Sequence, residues 1–137
     1  MKIVSSCLAG IGCRYDGSAA TVDKIVEMMM NGKAMAVCPE QMVELPIPRK
    51  PVEIVDGRVL TADGEDMTEV YYQGAVKAYE IVKLINPGEV ILKSKSPSCG
   101  CGLVYDGSFS GKLVEGDGLF AALLKENGIK VRSEEDI

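Results

Sequence analysis

The chain contains no histidine. That absence removes any Ser-His or Cys-His nucleophile pair and every zinc site that uses imidazole. A C-x₂-C pair is also missing, and with it the spacing of thioredoxin-like redox centres and zinc ribbons. No apolar run approaches the roughly 20 residues that a membrane-spanning helix needs. The opening Met1-Lys2-Ile3-Val4 is broken by Ser5, Ser6 and Cys7 too soon to form the core of a signal peptide. Basic charge is not in excess: the net charge is −5, whereas nucleic-acid-binding domains carry a basic surplus. The expectation is a soluble, cytoplasmic protein whose partner is neither a membrane nor a nucleic-acid polymer.

What is present points to a packed core. With 137 residues and 47% hydrophobic content, the chain reads as one domain spanning 1–137. A domain of that size buries about two-thirds of the surface its unfolded chain exposes. Five cysteines then stand out. An odd number cannot pair fully, and a reducing compartment disfavours structural disulfides. Buried cysteine often serves as a small hydrophobe. Here, however, four of the five fall beside Gly, Pro or Ser at the ends of short apolar segments.

Taken in order, Lys2–Ser6 predicts a first strand, followed by a glycine-rich loop that carries Cys7 and Cys13. Thr21 is positioned to cap a helix whose apolar face is Val22, Ile25, Val26, Met29 and Met30, ended by Gly32. Ala34–Val37 predicts a second strand with Cys38-Pro39-Glu40 at its carboxyl end. Residues 52–55 and 58–60 alternate as a hairpin closed by Asp56-Gly57. Asp66 or Thr68 opens a long helix to about Ile85, stopped by Asn86-Pro87-Gly88. Glu89–Leu92 predicts a third strand that runs into Lys93-Ser94-Lys95-Ser96-Pro97-Ser98-Cys99-Gly100-Cys101. Residues 103–105 and 112–114 pair around Asp106-Gly107-Ser108. Residues 118–127 predict a helix, and residues 129–131 a last strand. The sum is an α/β fold: a mainly parallel sheet with helices on both faces and small β-hairpin insertions. Tyr-Asp-Gly-Ser occurs twice, at 15–18 and 105–108, as recurring turn chemistry.

Parallel crossovers bring strand carboxyl ends to one edge, so Cys7, Cys13, Cys38 and Cys99 are expected to converge there. Thiolates from separate strand ends suit a metal centre, and on spacing alone zinc and an iron–sulfur cluster fit equally. Cys99 and Cys101 lie too close in sequence to serve one cluster together. Glu40, at the rim of the same site, is placed to act as a general base. Ser96 and Ser98 either meet a substrate or cap the following turn. Arg14, Arg49, Lys93 and Lys95 are candidates for an anion-binding rim. A non-catalytic sulfur-carrier or metal-binding module with a thiolate-held zinc or Fe–S site is the alternative to an enzyme.

The segments Ser6-Cys7-Leu8-Ala9-Gly10, Cys13-Arg14-Tyr15-Asp16-Gly17, Cys38-Pro39-Glu40-Gln41, Leu45-Pro46-Ile47-Pro48-Arg49, Lys95-Ser96-Pro97-Ser98-Cys99-Gly100 and Tyr105-Asp106-Gly107-Ser108-Phe109-Ser110-Gly111 together resemble the thiouracil desulfidase family. Two departures are Val43-Glu44, where the family commonly has two glycines, and Ile47, where it commonly has threonine. The resemblance implies an oxygen-sensitive [4Fe–4S] cluster held by three cysteines, with a fourth iron open to the thione sulfur of a thiolated pyrimidine. It implies non-redox hydrolysis that releases sulfide and the oxo base, the substrate being a free base, nucleoside or nucleotide. Carried over by motif, Cys7, Cys13 and Cys99 are the implied ligands, with Cys38 as the alternative. Glu40 would activate water, and Ser96, with Ser98 in second place, would protonate or orient the ring. Arg14, Arg49 and Lys95, from their nearness to the cysteine motifs, are the residues expected to contact substrate.

Overall fold

Val90, Ile91 and Leu92 are completely buried, and the rest of the molecule packs around them. The computed structural model describes residues 1–137. In it, β5 (Val90–Leu92) lies between β1 (Lys2–Ser5) and β8 (Val131–Ser133), and β2 (Ala34–Val37) flanks β1 on the other side. All three pairings are parallel, with Ile3 opposite both Met35 and Val90, and Val90 opposite Val131. Side chains alternate across this sheet as strand geometry requires. Ile3, Val37, Val90 and Leu92 meet α3 (Thr68–Ile85) and α4 (Leu119–Glu126) on one face. Val4, Ala34 and Ile91 meet Ile25 of α1 (Asp23–Met30) on the other, together with Leu8, Cys7 and Cys13. Helices therefore cover both faces, as the apolar strand runs led one to expect.

Two antiparallel hairpins are added to this frame. β3 (Val52–Val55) pairs with β4 (Arg58–Thr61) through Asp56 and Gly57, both with positive φ, which is the backbone of an Asp-Gly hairpin turn. Val52 and Val59 pack on Tyr71 of α3. β6 (Leu103–Tyr105) pairs with β7 (Leu113–Glu115).

Several boundaries differ from expectation for local reasons. β1 ends at Ser5, because Ser6–Ala9 turns into a short 3₁₀ helix. The helix predicted from Thr21 begins at Asp23 with no side-chain cap, and Met30 faces solvent at 81% exposure. The last strand begins at Val131 and not Ile129, since Ile129 N–H still closes α4 on the Leu124 carbonyl, 3.0 Å away. Cys38-Pro39-Glu40 does not run on as a loop. Pro39–Met42 forms one helical turn, α2, with Pro39 at its first position, where the missing N–H costs nothing. α2 lies hard against α3: a Cβ at Gly74 would come 2.4 Å from the Pro39 carbonyl oxygen. Glu44 adopts φ +57, a left-handed conformation, at one of the positions where the resemblance implies glycine.

The amino-terminal edge of the sheet is tied by one carboxylate. Glu89 accepts from Arg132 Nε and Nη2, each at 2.9 Å, and is also paired with Lys2. The Arg132 fork, then Lys2, hold its carboxyl down from an ordinary 4.5 to about 2. Because the folded value is the lower one, the unfolded chain binds the extra proton. The stabilisation is therefore complete above about pH 4.5 and fades as pH falls towards 2. Glu89→Gln is expected to cost about 1–2 kcal/mol at pH 7, after allowing for the partly exposed partners. Thermal melts should show the gap between variant and parent closing by about pH 2. Gly74→Ala, which forces α2 and α3 apart, is expected to cost about 1–3 kcal/mol in urea denaturation.

Candidate active site

β2, β1 and β5 are neighbours running the same way, so their chains leave the sheet at the same edge. Each then delivers a cysteine. Cys7 lies in the 3₁₀ turn after β1, Cys38 directly follows β2, and Cys99 lies in the turn after β5. Cys13 returns to the same place through the loop at 10–18. That loop folds back tightly enough that a Cβ on Gly12 would come 2.7 Å from the Gly17 carbonyl oxygen. All four thiols are free and line one cavity of about 400 Å³. Cys101 is not in its wall; it sits beside Lys125, whose ammonium is held mainly by Asp117.

The thiols are strongly desolvated. Burial pushes Cys99 far up, against a hydrogen bond to Ser5 that pulls the other way. Contact with Cys13, then burial, does the same to Cys38. For Cys13 the Cys38 thiol pulls downward, but contact with Cys7 and burial outweigh it, and the result is about 11. These surroundings favour the protonated form of Cys13, Cys38 and Cys99 until a cationic centre displaces the protons. No three cysteine or carboxylate groups close on one point as a single ion requires. Tetrahedral zinc would need sulfurs about 2.3 Å from one centre. Cys13 is in contact with both Cys7 and Cys38, and a set of four gathered thiols has the soft-donor chemistry that an iron–sulfur centre uses.

Beside the thiols is a half-buried carboxylate with a full set of donors. Glu40 Oε1 accepts from Arg49 Nη2 at 2.8 Å, Arg49 Nε at 3.1 Å and Tyr71 Oη at 3.3 Å. Its Oε2 accepts from Ser98 Oγ at 3.1 Å. Arg49 Nη2 also donates to the Cys13 carbonyl at 2.9 Å, joining the carboxylate to the cysteine loop. Burial alone would lower the Arg49 guanidinium, but Glu40 outweighs it and holds it above its ordinary value. Tyr71 is pushed up, first by burial and then by the charge of Glu40.

Most of the residues singled out from sequence are gathered here, in roles that differ. Arg49 has only 7% of its side chain exposed and is engaged by Glu40, so it is not part of an open anion rim. Arg14 lines the cavity and donates to Ser18 Oγ at 3.3 Å. Lys95 lines it with no ionic partner, whereas Lys93 lies 3.5 Å from Glu134. The two serines divide their tasks. Ser96 Oγ accepts from Ser98 N–H and Cys99 N–H, both at 3.1 Å, which leaves its hydroxyl proton uncommitted at the cavity wall. Ser98 lies 1% exposed beneath the wall, on Glu40. Tyr71 and Glu134 were not anticipated. Tyr71 shares a spacing with Ala75, Ala78 and Val82 that puts it on the inward face of α3, which was the available signal. Glu134 comes from the carboxyl terminus, and nothing local marks its contacts with Ser94 N–H and Oγ at 2.7 and 3.0 Å.

Comparison with known proteins identifies relatives over nearly the whole chain. The sequence profile of the 2-thiouracil desulfurase family matches residues 3–136. The chain is 46% identical over 147 aligned positions to the uncharacterized protein YbbK of Bacillus subtilis (strain 168), covering 100% of this chain and 97% of that protein. Among solved structures it is similar to the [4Fe-4S]-dependent thiouracil desulfidase TudS (DUF523Vcz), with a TM-score of 0.93 and 38% identity. That match covers 98% of this chain and 91% of the other. With a family profile spanning nearly its whole length, the chain belongs to the 2-thiouracil desulfurase family.

Proposed function

We propose that the protein is a [4Fe–4S]-dependent desulfidase that hydrolyses the C=S bond of a thiolated pyrimidine, supplied as base, nucleoside or nucleotide. In the balanced reaction water replaces sulfur at the ring carbon, giving C=O and hydrogen sulfide, with no change of oxidation state. The observation that carries this reading is the half-buried carboxylate, Glu40, fixed by three side chains beside four thiols in one cavity. When bound, a cluster held by three of those cysteines supplies a soft Lewis-acid position that polarises a thione and takes up sulfide.

The remaining roles fall to the chain itself. Arg49, Tyr71 and Ser98 hold Glu40 in one orientation, which leaves the carboxylate to draw a proton from water approaching the ring carbon. Ser96, with its hydroxyl proton uncommitted, donates to a ring nitrogen or exocyclic oxygen. Lys95 and Arg14 offer positive charge at the rim to any anionic part of the substrate, whereas Arg49 acts through Glu40. A reducing cytoplasm, which keeps thiols free, belongs to the same reading, and no helix is long and apolar enough to cross a membrane.

Anaerobically reconstituted protein is expected to contain iron and acid-labile sulfide and to convert 2-thiouracil to uracil plus sulfide. Cluster-bearing protein that leaves every thiolated pyrimidine intact would refute the activity. Among single Cys→Ser variants, those at Cys7 and Cys99 should lose the iron, and the one at Cys101 should keep it. Cys13→Ser and Cys38→Ser should differ from each other, which identifies the third ligand. Glu40→Gln should retain iron while turnover falls about 10²-fold or more. Equal turnover of Glu40→Gln and parent would leave the carboxylate a structural group.

A further inference from the structure

Both Tyr-Asp-Gly-Ser turns open onto the active-site cavity, although 90 positions separate them. Tyr15 and Tyr105 line it, as does Phe109 just beyond the second turn. The turns are built alike. Asp16 Oδ1 accepts from Ser18 N–H and Oγ at 3.0 and 2.5 Å, and Asp106 Oδ1 accepts from Ser108 N–H and Oγ at 2.9 and 2.5 Å. Each holds its glycine at positive φ, +82° at Gly17 and +94° at Gly107. The first is tied to the Glu40 segment, since Arg49 N–H donates to the Tyr15 carbonyl at 2.8 Å. The second is docked on β3, where a Cβ at Gly107 would come 2.1 Å from Val55 Cγ2.

Phe109 is the most constrained of these residues. Its φ is +56°, a conformation that crowds any side chain, and phenylalanine gains nothing from it locally. Glu53 imposes it: one oxygen, Oε1, accepts from Gly107 N–H at 3.0 Å and from Phe109 N–H at 3.1 Å. The ring is not used as core, since Phe109 is only half-buried, in contrast to the fully buried Phe120. Strain of this kind persists only where the surroundings enforce it, and it collects at ligand clamps. A carboxylate that holds an aromatic residue in a disfavoured conformation at a cavity wall is suited to recognising a flat ring.

We infer that Tyr15, Tyr105 and Phe109 form an aromatic clamp that grips the planar heterocycle of the substrate by its faces, with Glu53 as the positioning residue that sets Phe109. The inference deepens the reading of the site as one for thiolated pyrimidines and rests on it. The clamp makes ring planarity, and not the C=S group alone, the feature selected. Stacking of a base on an aromatic side chain is sequence-tolerant and contributes enough that its loss reads as roughly tenfold in affinity.

The test is calorimetric titration of 2-thiouracil and of uracil into anaerobic, cluster-loaded protein, alongside steady-state kinetics and iron content. Phe109→Leu and Tyr105→Leu should each weaken binding of both pyrimidines about tenfold and raise KM by a similar factor. Their kcat at saturation and their iron content should stay within about twofold of the parent. Glu53→Ala should repeat the Phe109→Leu phenotype, whereas Glu53→Gln, which keeps the carbonyl acceptor, and Phe109→Tyr should bind as the parent does. Undiminished pyrimidine affinity in both leucine variants at parental iron content would overturn the clamp. So would parent protein that binds no pyrimidine. Parent protein that binds both pyrimidines in this residue-dependent way but releases no sulfide would leave the clamp standing and refute the desulfidase reading alone.

Discussion

Parallel strands that neighbour one another end together, and this constraint carries the site. β1 has β2 on one side and β5 on the other, all running in one direction, so the residues following each strand emerge within a small area. Cysteines more than 90 positions apart need no long-range contact of their own to meet there. Their meeting is a consequence of how the sheet is wound. The opposite edge is held by Glu89 with Arg132 and Lys2, which ties β5 to both of its neighbours at the end away from the cavity.

Desolvation sets the character of the cavity. Thiols that are buried without a countercharge resist ionisation, and those of Cys13, Cys38 and Cys99 are all displaced upward. Of the two carboxylates in the wall, Glu40 has its countercharge supplied in place by Arg49, and Glu53 accepts from the Gly107 and Phe109 N–H groups. The polypeptide therefore offers neutral soft donors on one side and a compensated carboxylate on the other. A cationic iron–sulfur core would favour ionisation of the thiols that bind it.

The two hairpins would look peripheral if only the sheet were considered. β3 and β4 rest on Tyr71, the residue whose hydroxyl reaches Glu40, and Glu53 of β3 holds the loop that carries Phe109. These insertions join the carboxylate side of the site to its aromatic wall. The fit between α2 and α3, which leaves no room for a side chain at Gly74, fixes where Glu40 stands relative to both.

The sequence by itself determined the strands, the long helix and the cysteine-bearing junctions, because period-2 burial, helical spacing and turn residues are local signals. Asp56-Gly57 and Asn86 each adopt the positive φ that their residue types favour. Motif order was likewise sufficient to suggest the family. How each site residue is engaged was decided only in three dimensions. Arg49 turned from the rim towards Glu40, Ser96 and Ser98 divided a turn cap from a carboxylate contact, and Tyr71 and Glu134 joined from elements with no motif. Hydrogen bonds between residues 9, 31 and 58 positions apart depend on how helices and loops pack across the sheet edge, and no local pattern encodes that packing.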